Sequence, residues 1–441
     1  CAPSRAAILT GRYATRFGFE FTPVPKEFSK VISEFRPHSH SGPDDMPSIY
    51  HSELEGDTMP MDDMGIPTSE TTIAKLLQGH GYHTLHIGKW HLGATPAFRP
   101  LAVGFDESLG FYPAASMYLP EDAPDVVNSK QDFDPIDKFL WPNLPYGVVN
   151  NDAAYFRPTQ YMTDYLGDAA VDAIKANAKR PFFMYLAFNA PHTPLQALKS
   201  DYDSLPQIAD HRLRVYAAMI KALDRNVGKV TATLKELGID ENTMVIFTSD
   251  NGGANYIGLP EINRPYRGWK ATFFEGGIHV PFFIKWPKQI PQGSTYASPV
   301  AHVDIFSTAA AAAGAVKPSD RVYDGVDLVP FLQGKNAERP HQTLYWRSGD
   351  YSTLLDGDWK LQSAGIPKKD WLFDLKADPT EHNDLAASNP QKLAELKALM
   401  AAKNSEMVKP LWPSLLQAPV KIDVPMGVPA PAGAEYVYWS N

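Results

Sequence analysis

Cys1 is the sole cysteine among 441 residues, and it opens the run Cys1-Ala2-Pro3-Ser4-Arg5-Ala6-Ala7-Ile8-Leu9-Thr10-Gly11-Arg12. Pro3 suits the first turn of a helix, where a missing N–H costs nothing, and Ala6, Ala7, Ile8 and Leu9 continue it. The thiol then sits at a helix mouth whose free N–H groups and partial positive charge favour an anion. Three further strings carry groups fit for acid–base work, anion binding or metal ligation. Lys89 and His91 lie in Gly88-Lys89-Trp90-His91-Leu92-Gly93, His192 in Asn189-Ala190-Pro191-His192, and Asp250 and Asn251 in Asp250-Asn251-Gly252-Gly253. Each has an ordinary reading as well. A lone cysteine is commonly a small buried hydrophobe, or a lipid-bearing first residue. Asp-Asn-Gly-Gly after a strand is commonly a turn. The histidines His80, His83, His86 and His91 break helical register at Gly81 and Gly88, and on a strand His83 and His86 face opposite sides, so they do not read as a metal-binding run.

These groups share a place in a repeating pattern. A helix with Ile73, Leu76 and Leu77 on one face, capped at Thr68 or Ser69 and stopped by Gly79 and Gly81, precedes the strand His83 to Ile87 and then Lys89 and His91. A second helix over 160–176 precedes the strand 181–188, which runs into His192. A third, with Leu213, Tyr216, Ile220, Leu223, Val227, Val230, Leu234 and Leu237 in helical spacing, ends at Gly238 before the strand 244–249 and Asp250. Apolar strands preceded by helices predict a largely parallel sheet covered on both faces. Polar residues just past each strand then line one crevice at the carboxyl edge, the usual ligand site of open α/β sheets. Another apolar strand, 280–286, and an Ala-rich helix over 303–313 follow. From Leu344 the pattern changes to short strands with an Asp356-Gly357 hairpin turn, a helix near 391–403 and a Pro-rich tail. The expected division is a catalytic α/β domain over 1–340 and a subdomain over 341–441. Residues 20–67 read as a long irregular insertion; His38, His40 and His51 within it read as surface, and Asp44-Asp45 and Asp62-Asp63 as loop pairs.

Composition narrows the classes. Hydrophobic residues at 44% and charged residues at 21% describe a soluble globular chain. A net charge of −9 argues against nucleic acid as a partner and repels anions at long range, so any anion site must be a local cluster of Arg, Lys and His. No apolar run reaches the length of a transmembrane segment. No initiator Met or signal peptide is visible, which predicts a removed or omitted leader.

Cys-x-Pro-Ser-Arg with Leu-Thr-Gly-Arg resembles the sulfatase signature. The likeness continues in family order through Gly88–Gly93, Ala190-Pro191-His192-Thr193-Pro194, Phe247–Gly253, Gly268-Trp269-Lys270, and Trp371–Leu375 with Asp378-Pro379-Thr380-Glu381. The resemblance implies an alkaline-phosphatase-like α/β sandwich with a small C-terminal antiparallel sheet and helix. It implies a sulfuric ester hydrolase in which a maturation enzyme oxidises Cys1 to formylglycine, whose hydrate attacks sulfur. Arg5 and Lys89 would hold that hydrate, His91 would serve as base, and His192 and Lys270 would bind sulfate oxygens and protonate the departing alcohol. Asp250 and Asn251 would ligate Ca²⁺, with Mg²⁺ as the alternative.

The sequence departs from the family in one respect. Family members carry an aspartate pair upstream of the cysteine, at the end of a first strand, and no such segment precedes Cys1. The expectation is an incomplete metal site, weak metal binding and a central sheet short of one strand. A sulfated sugar is the expected substrate, with aryl sulfates as surrogates, in a periplasmic or secreted setting. The alternatives are a formylglycine-dependent phosphodiesterase or phosphonate monoester hydrolase, and a non-catalytic binder of sulfated glycans if Cys1 stays a thiol.

Overall fold

The computed structural model describes residues 1–35 and 46–441. His38, His40, Asp44 and Asp45 lie outside the described residues. The opening helix spans Ala2–Thr10 with Cys1 at its cap position and no side-chain cap, and Gly11 ends it at φ 67°. Its buried face, Ala2, Ala6 and Leu9, packs on Phe306, Ala309 and Ala310 of the helix Val303–Ala312. Only a glycine fits that stop, because a Cβ on Gly11 would lie 2.8 Å from the Phe306 ring.

The parallel core consists of His83–Lys89 flanked by Glu107–Phe111 and Phe182–Ala187, with Val149–Asn150 antiparallel at one edge. Buried Leu85 and Ile87 alternate with polar Thr84 and His86, and His86 stays inside by bonding Ser108 Oγ at 3.0 Å and packing edge-on to Trp90. One face is covered by the helices Met162–Asn177 and His211–Glu236, which meet through Leu166, Ala170, Val215, Ala218 and Met219. Gly167 allows their close approach, since a Cβ there would meet Asn226 Oδ1 at 2.1 Å.

The α/β class is as expected, but the strand pairing differs in one respect. Val245–Thr248 does not join the parallel ladder; it pairs antiparallel with Phe282–Lys285. Among the described residues, no strand bonds to the outer edge of Phe182–Ala187 or of Val245–Thr248. The flanking apolar side chains are accordingly only part-buried, and Phe283 is 66% exposed.

Three local expectations need correction. The helix Ile73–Gln78 is capped by Thr72, whose hydroxyl accepts from Lys75 N–H, and not by Thr68 or Ser69. The 20–67 stretch is less irregular than its composition suggests: it holds a helix, Lys26–Glu34, that packs on the helix Pro135–Asn143 through an edge-on contact of Phe28 and Phe139. The Pro-rich tail also forms strands, Leu416–Lys421 and Tyr436–Ser440, which pair with each other and with Ile49–Tyr50.

The C-terminal part is a four-stranded antiparallel sheet, Thr343–Ser348, Tyr351–Asp356, Trp359–Ala364 and Lys369–Asp374, backed by the helix Pro390–Ser405. Its buried Lys360 reaches out of the sheet to Glu275 at 2.7 Å and Glu381 at 2.9 Å. Two carboxylates around one buried ammonium keep that cation charged, and Glu275 belongs to the segment just after Lys270.

Candidate active site

Helix and strand ends deliver the candidate groups to one place. Lys89 closes its strand, and the chain turns sharply so that Trp90 N–H and His91 N–H bond Phe111 O and Tyr112 O at 2.9 and 3.0 Å. His91 adopts φ 61°, a left-handed conformation uncommon for a non-glycine residue. His192 follows Phe182–Ala187, and Asp250 and Asn251 follow Val245–Thr248. Cys1, His91, His192, Asp250, Asn251 and Lys270 line one cavity of about 1050 Å³. Arg5 and Lys89 lie buried behind it, with Lys89 1% exposed.

The contacts tie the two halves of the sheet together. Cys1 Sγ lies 3.2 Å from Asn251 Oδ1 as donor. Arg5 donates from Nε and Nη2 to Asp250 Oδ2 at 3.0 and 2.9 Å, and from Nη1 to Lys89 O at 3.0 Å and Tyr185 OH at 3.3 Å. One guanidinium therefore spans the gap between Phe182–Ala187 and Val245–Thr248. Lys270 Nζ lies 3.4 Å from His192 Nε2 and donates to Tyr256 OH at 3.0 Å. His192 Nδ1 bonds Thr193 O at 2.7 Å, which places its proton on Nδ1 and leaves Nε2 to accept from Lys270. His91 Nε2 contacts Pro23 O at 3.4 Å, while Nδ1 is buried with no partner among the described residues.

Burial and charge set the protonation states. Burial drives the His91 imidazole well below its usual range, with Lys89 adding to the effect; burial and then Lys270 do the same to His192. Lys89 falls well below the usual lysine range, first by burial and then by repulsion from Arg5. Burial alone would raise Asp250, but Arg5 and the neighbouring cations outweigh it and hold the carboxyl well below its usual range. The site is thus a cluster of buried basic groups and neutral imidazoles around one carboxylate, in a chain of net charge −9.

Three neighbours carried no sequence signal. Tyr185 sits on an apolar strand, Tyr256 in a loop beyond Gly253, and His302 at the cap position of the Ala-rich helix, where its Nε2 bonds Ser249 O at 2.9 Å beside Asp250. None has a spacing that links it to a motif. His80, His83 and His51 have structural partners: His80 bonds Leu76 O, His83 pairs with Glu107 at 2.6 Å, and His51 bonds Glu53 and Gln417. Asp62 and Asp63 are exposed in a short turn.

Asp250 and Asn251 are oxygen donors of the type a hard cation takes, but such an ion needs about six to eight oxygens. Among the described residues, no group of three or more His, Cys, Asp or Glu is placed to hold a metal. The fit is therefore one of donor type and not of number.

The Sulfatase family model matches residues 1–315, and the model for the C-terminal region of N-sulphoglucosamine sulphohydrolase matches residues 267–409. The chain is 33% identical to N-acetylgalactosamine-6-sulfatase of Canis lupus familiaris over 374 residues, covering 82% of this chain and 62% of the relative. It thus spans less than two thirds of that relative's length. The structure of Ps i-CgsB in complex with k-i-k-neocarrahexaose superimposes with a TM-score of 0.74 at 30% identity, covering 93% of this chain and 84% of the other. The phosphonate monoester hydrolase SpPMH from Silicibacter pomeroyi shares the fold at a TM-score of 0.59 and 18% identity, over 93% of this chain and 86% of that one. With its motifs gathered at the carboxyl edge of an alkaline-phosphatase-like α/β sheet, and with these matches across most of its length, the chain belongs to the sulfatase family.

Proposed function

We propose that the chain hydrolyses sulfate monoesters of sulfated carbohydrates, with residue 1 matured from cysteine to formylglycine by a dedicated oxidising enzyme. The observation that carries this reading is the convergence on one cavity of Cys1, two imidazoles kept neutral by burial, and Lys270, with Lys89 and Arg5 behind them. A hydroxyl-bearing residue 1 suits the surroundings: Asn251 Oδ1 already accepts from Cys1 Sγ, and His91 Nδ1 is a buried atom in need of a donor. As a hydrated aldehyde, residue 1 would supply one hydroxyl to take the sulfuryl group and a second whose deprotonation releases it.

The chain's own residues then have separable tasks. His91, with Nε2–H turned to Pro23 O, keeps Nδ1 free to accept a proton. Lys270 directs an N–H at His192 Nε2, and an ester oxygen arriving between them takes that proton as the alcohol departs. Lys89 and Lys270 offset charge on the sulfate oxygens in a site of low dielectric, where such contacts count for more than in water. Arg5 holds Asp250 and the end of the Lys89 strand in register. Ca²⁺ is the ion that Asp250 and Asn251 suit, with Mg²⁺ as the alternative, and none of these tasks runs through it. The carbohydrate assignment draws support from the relatives, one named N-acetylgalactosamine-6-sulfatase and one solved in complex with k-i-k-neocarrahexaose. A periplasmic or secreted setting belongs to the same proposal.

Mass spectrometry of the peptide containing residue 1, together with turnover of aryl sulfate against aryl phosphodiester, tests the reading. Formylglycine with preferred sulfate turnover is the expected pair of results. Preferred phosphodiester turnover would reassign the reaction, and an unmodified thiol in a protein produced with the maturation enzyme would leave only a binder of sulfated glycans.

A further inference from the structure

We infer that Asn263 is a positioning residue that fixes the distance between Lys270 and the Asp250-Asn251 turn, an inference that rests on the sulfate-ester reading of the site. Asn263 is absent from the cavity lining, and none of its bonds reaches a group that would touch substrate. Its carboxamide is nevertheless fully used. Oδ1 accepts from Gly253 N–H at 2.8 Å, and Nδ2 donates to Gly253 O at 2.9 Å and to Gly268 O at 3.0 Å. Gly253 lies two residues beyond Asn251, and Gly268 two residues before Lys270. A single planar amide thus bridges the loop that carries Asp250 and Asn251 and the loop that carries Lys270.

Gly253 O is the shared knot. It accepts from Asn263 Nδ2 and also from Lys270 N–H at 2.9 Å, so the Lys270 backbone is indexed directly to the turn after Asn251. The amide meets both the N–H and the C=O of Gly253, as a neighbouring strand would. Gly253 has no room for another arrangement: a Cβ there would lie 2.5 Å from Ile262 Cδ1 and 2.8 Å from Asn263 Oδ1. The far side of the Lys270 loop is fastened separately, by Gly252 N–H to Gly277 O at 2.9 Å and by Lys360 to Glu275. Within the Gly268–Lys270 limb, Trp269 N–H bonds Thr272 Oγ1 at 3.1 Å and Lys270 N–H bonds Gly253 O, and Asn263 is the side chain that ties Gly268 to that same carbonyl. Lys270 in turn meets His192 and Tyr256, so a shift of this limb moves the proton donor relative to the nucleophile.

The test uses Asn263→Asp, which keeps the shape and the acceptor but replaces both donor bonds with a carboxylate facing two carbonyls, and Asn263→Ala as a second variant. Misplacing a catalytic group by about 1 Å costs on the order of 10²-fold in rate. With the matured enzyme, kcat on an aryl sulfate of poor leaving group should fall by roughly that factor, while KM changes less than about threefold. Good leaving groups need little protonation and should lose far less. In a Lys270→Ala background, Asn263→Asp should cost almost nothing more, because the two residues act through one group. Amide hydrogen exchange supplies a readout independent of turnover: the Lys270 N–H should lose protection in Asn263→Asp while helix Met162–Asn177 keeps its own.

Unchanged kcat, an equal loss for all leaving groups, or a full additional loss in the Lys270→Ala background would each overturn the inference. If the unsubstituted enzyme turns over no sulfate ester, the functional reading fails. The exchange experiment still decides the positioning, since unchanged Lys270 protection in Asn263→Asp overturns it on its own.

Discussion

Replacing Arg5 with methionine tests whether the guanidinium holds the site together. The substitution keeps much of the side-chain length and removes three interactions at once: the ion pair to Asp250, the bond to Lys89 O and the bond to Tyr185 OH. Asp250 is then left as a carboxylate with only 18% of its side chain exposed. Removing one partner of a buried pair costs about 3–5 kcal/mol, because the other charge stays desolvated and unpaired. The effect on melting is small in degrees. At about 2.1 cal/mol/K per residue, 441 residues carry an unfolding entropy near 0.9 kcal/mol/K, so the midpoint should fall by only about 3–5 °C. The companion Asp250→Asn removes the stranded charge, and the double variant should lose about 1–3 kcal/mol less than the sum of the singles. Differential scanning calorimetry of all four proteins measures the cycle. A midpoint for Arg5→Met within about 1 °C of the unsubstituted protein, or strict additivity in the cycle, would show that the pair does not hold the strand ends in place.

Two further outcomes follow from burial. Burial carries His86 from 6.5 down to about 3, and it lowers His91, His192 and His302 as well. Between the usual imidazole value near 6.5 and these lowered values the unfolded chain binds more protons than the folded one. Stability that is whole above about pH 6.5 is therefore lost as pH falls, at about 1.4 kcal/mol per pH unit for each histidine. Denaturant midpoints followed from pH 7 towards acid should decline, with a shallower slope in His86→Gln; a flat profile contradicts neutral buried histidines. Phe283, 66% exposed beside strand edges unpaired among the described residues, should promote association between copies of this chain, and Phe283→Lys should reduce it in sedimentation velocity. Equal association in both proteins removes that face as the cause.

The sequence made the site easier to read than the sheet. Helical spacing placed Met162–Asn177 and His211–Glu236 to within two residues, but it missed the buried face of the second, where Leu213, Ile220 and Leu237 are exposed while Val215, Ala218, Met219 and Ala222 pack inward. Lys89 and His192 could be placed at one edge because each lies at or beyond the end of a strand in one parallel ladder; Asp250 joins them although its strand, Val245–Thr248, pairs outside that ladder. The antiparallel partner of Val245–Thr248 could not be read, since an apolar run of four to six residues looks the same in either direction. Tyr185, Tyr256 and Asn263 were out of reach for a related reason. Their effect depends on which loops meet in space, and no periodicity in the chain records that. The helix Lys26–Glu34 was hidden by its polar composition; its buried positions are Ser29, Ile32 and Ser33, too polar a face to read as a core stripe.

The charge pattern has a consequence for how the site meets its ligand. Arg5, Lys89 and Lys270 are close enough to repel one another, and burial with that repulsion lowers the affinity of Lys89 for its proton. An oxyanion entering the cavity reverses both effects, replacing lost solvation and supplying the missing negative charge. The Lys89 and His192 pKa values should then rise on binding, so the anion arrives together with part of a proton taken from solvent. The sign follows directly: a group whose pKa is higher in the complex makes binding weaker as pH rises through the interval between its free and bound values. Titration calorimetry with inorganic sulfate, in buffers of different ionisation enthalpy, reads the proton count as a slope. Uptake of a fraction of a proton is expected near neutral pH, and Lys89→Met should reduce it. Because the chain as a whole repels anions at −9, added salt should weaken binding less than it would for an exposed cationic patch, since these charges are buried and poorly screened. Sulfate binding with no proton uptake at any pH, and with the same proton count in Lys89→Met, would mean that burial and cationic repulsion do not set the protonation of Lys89.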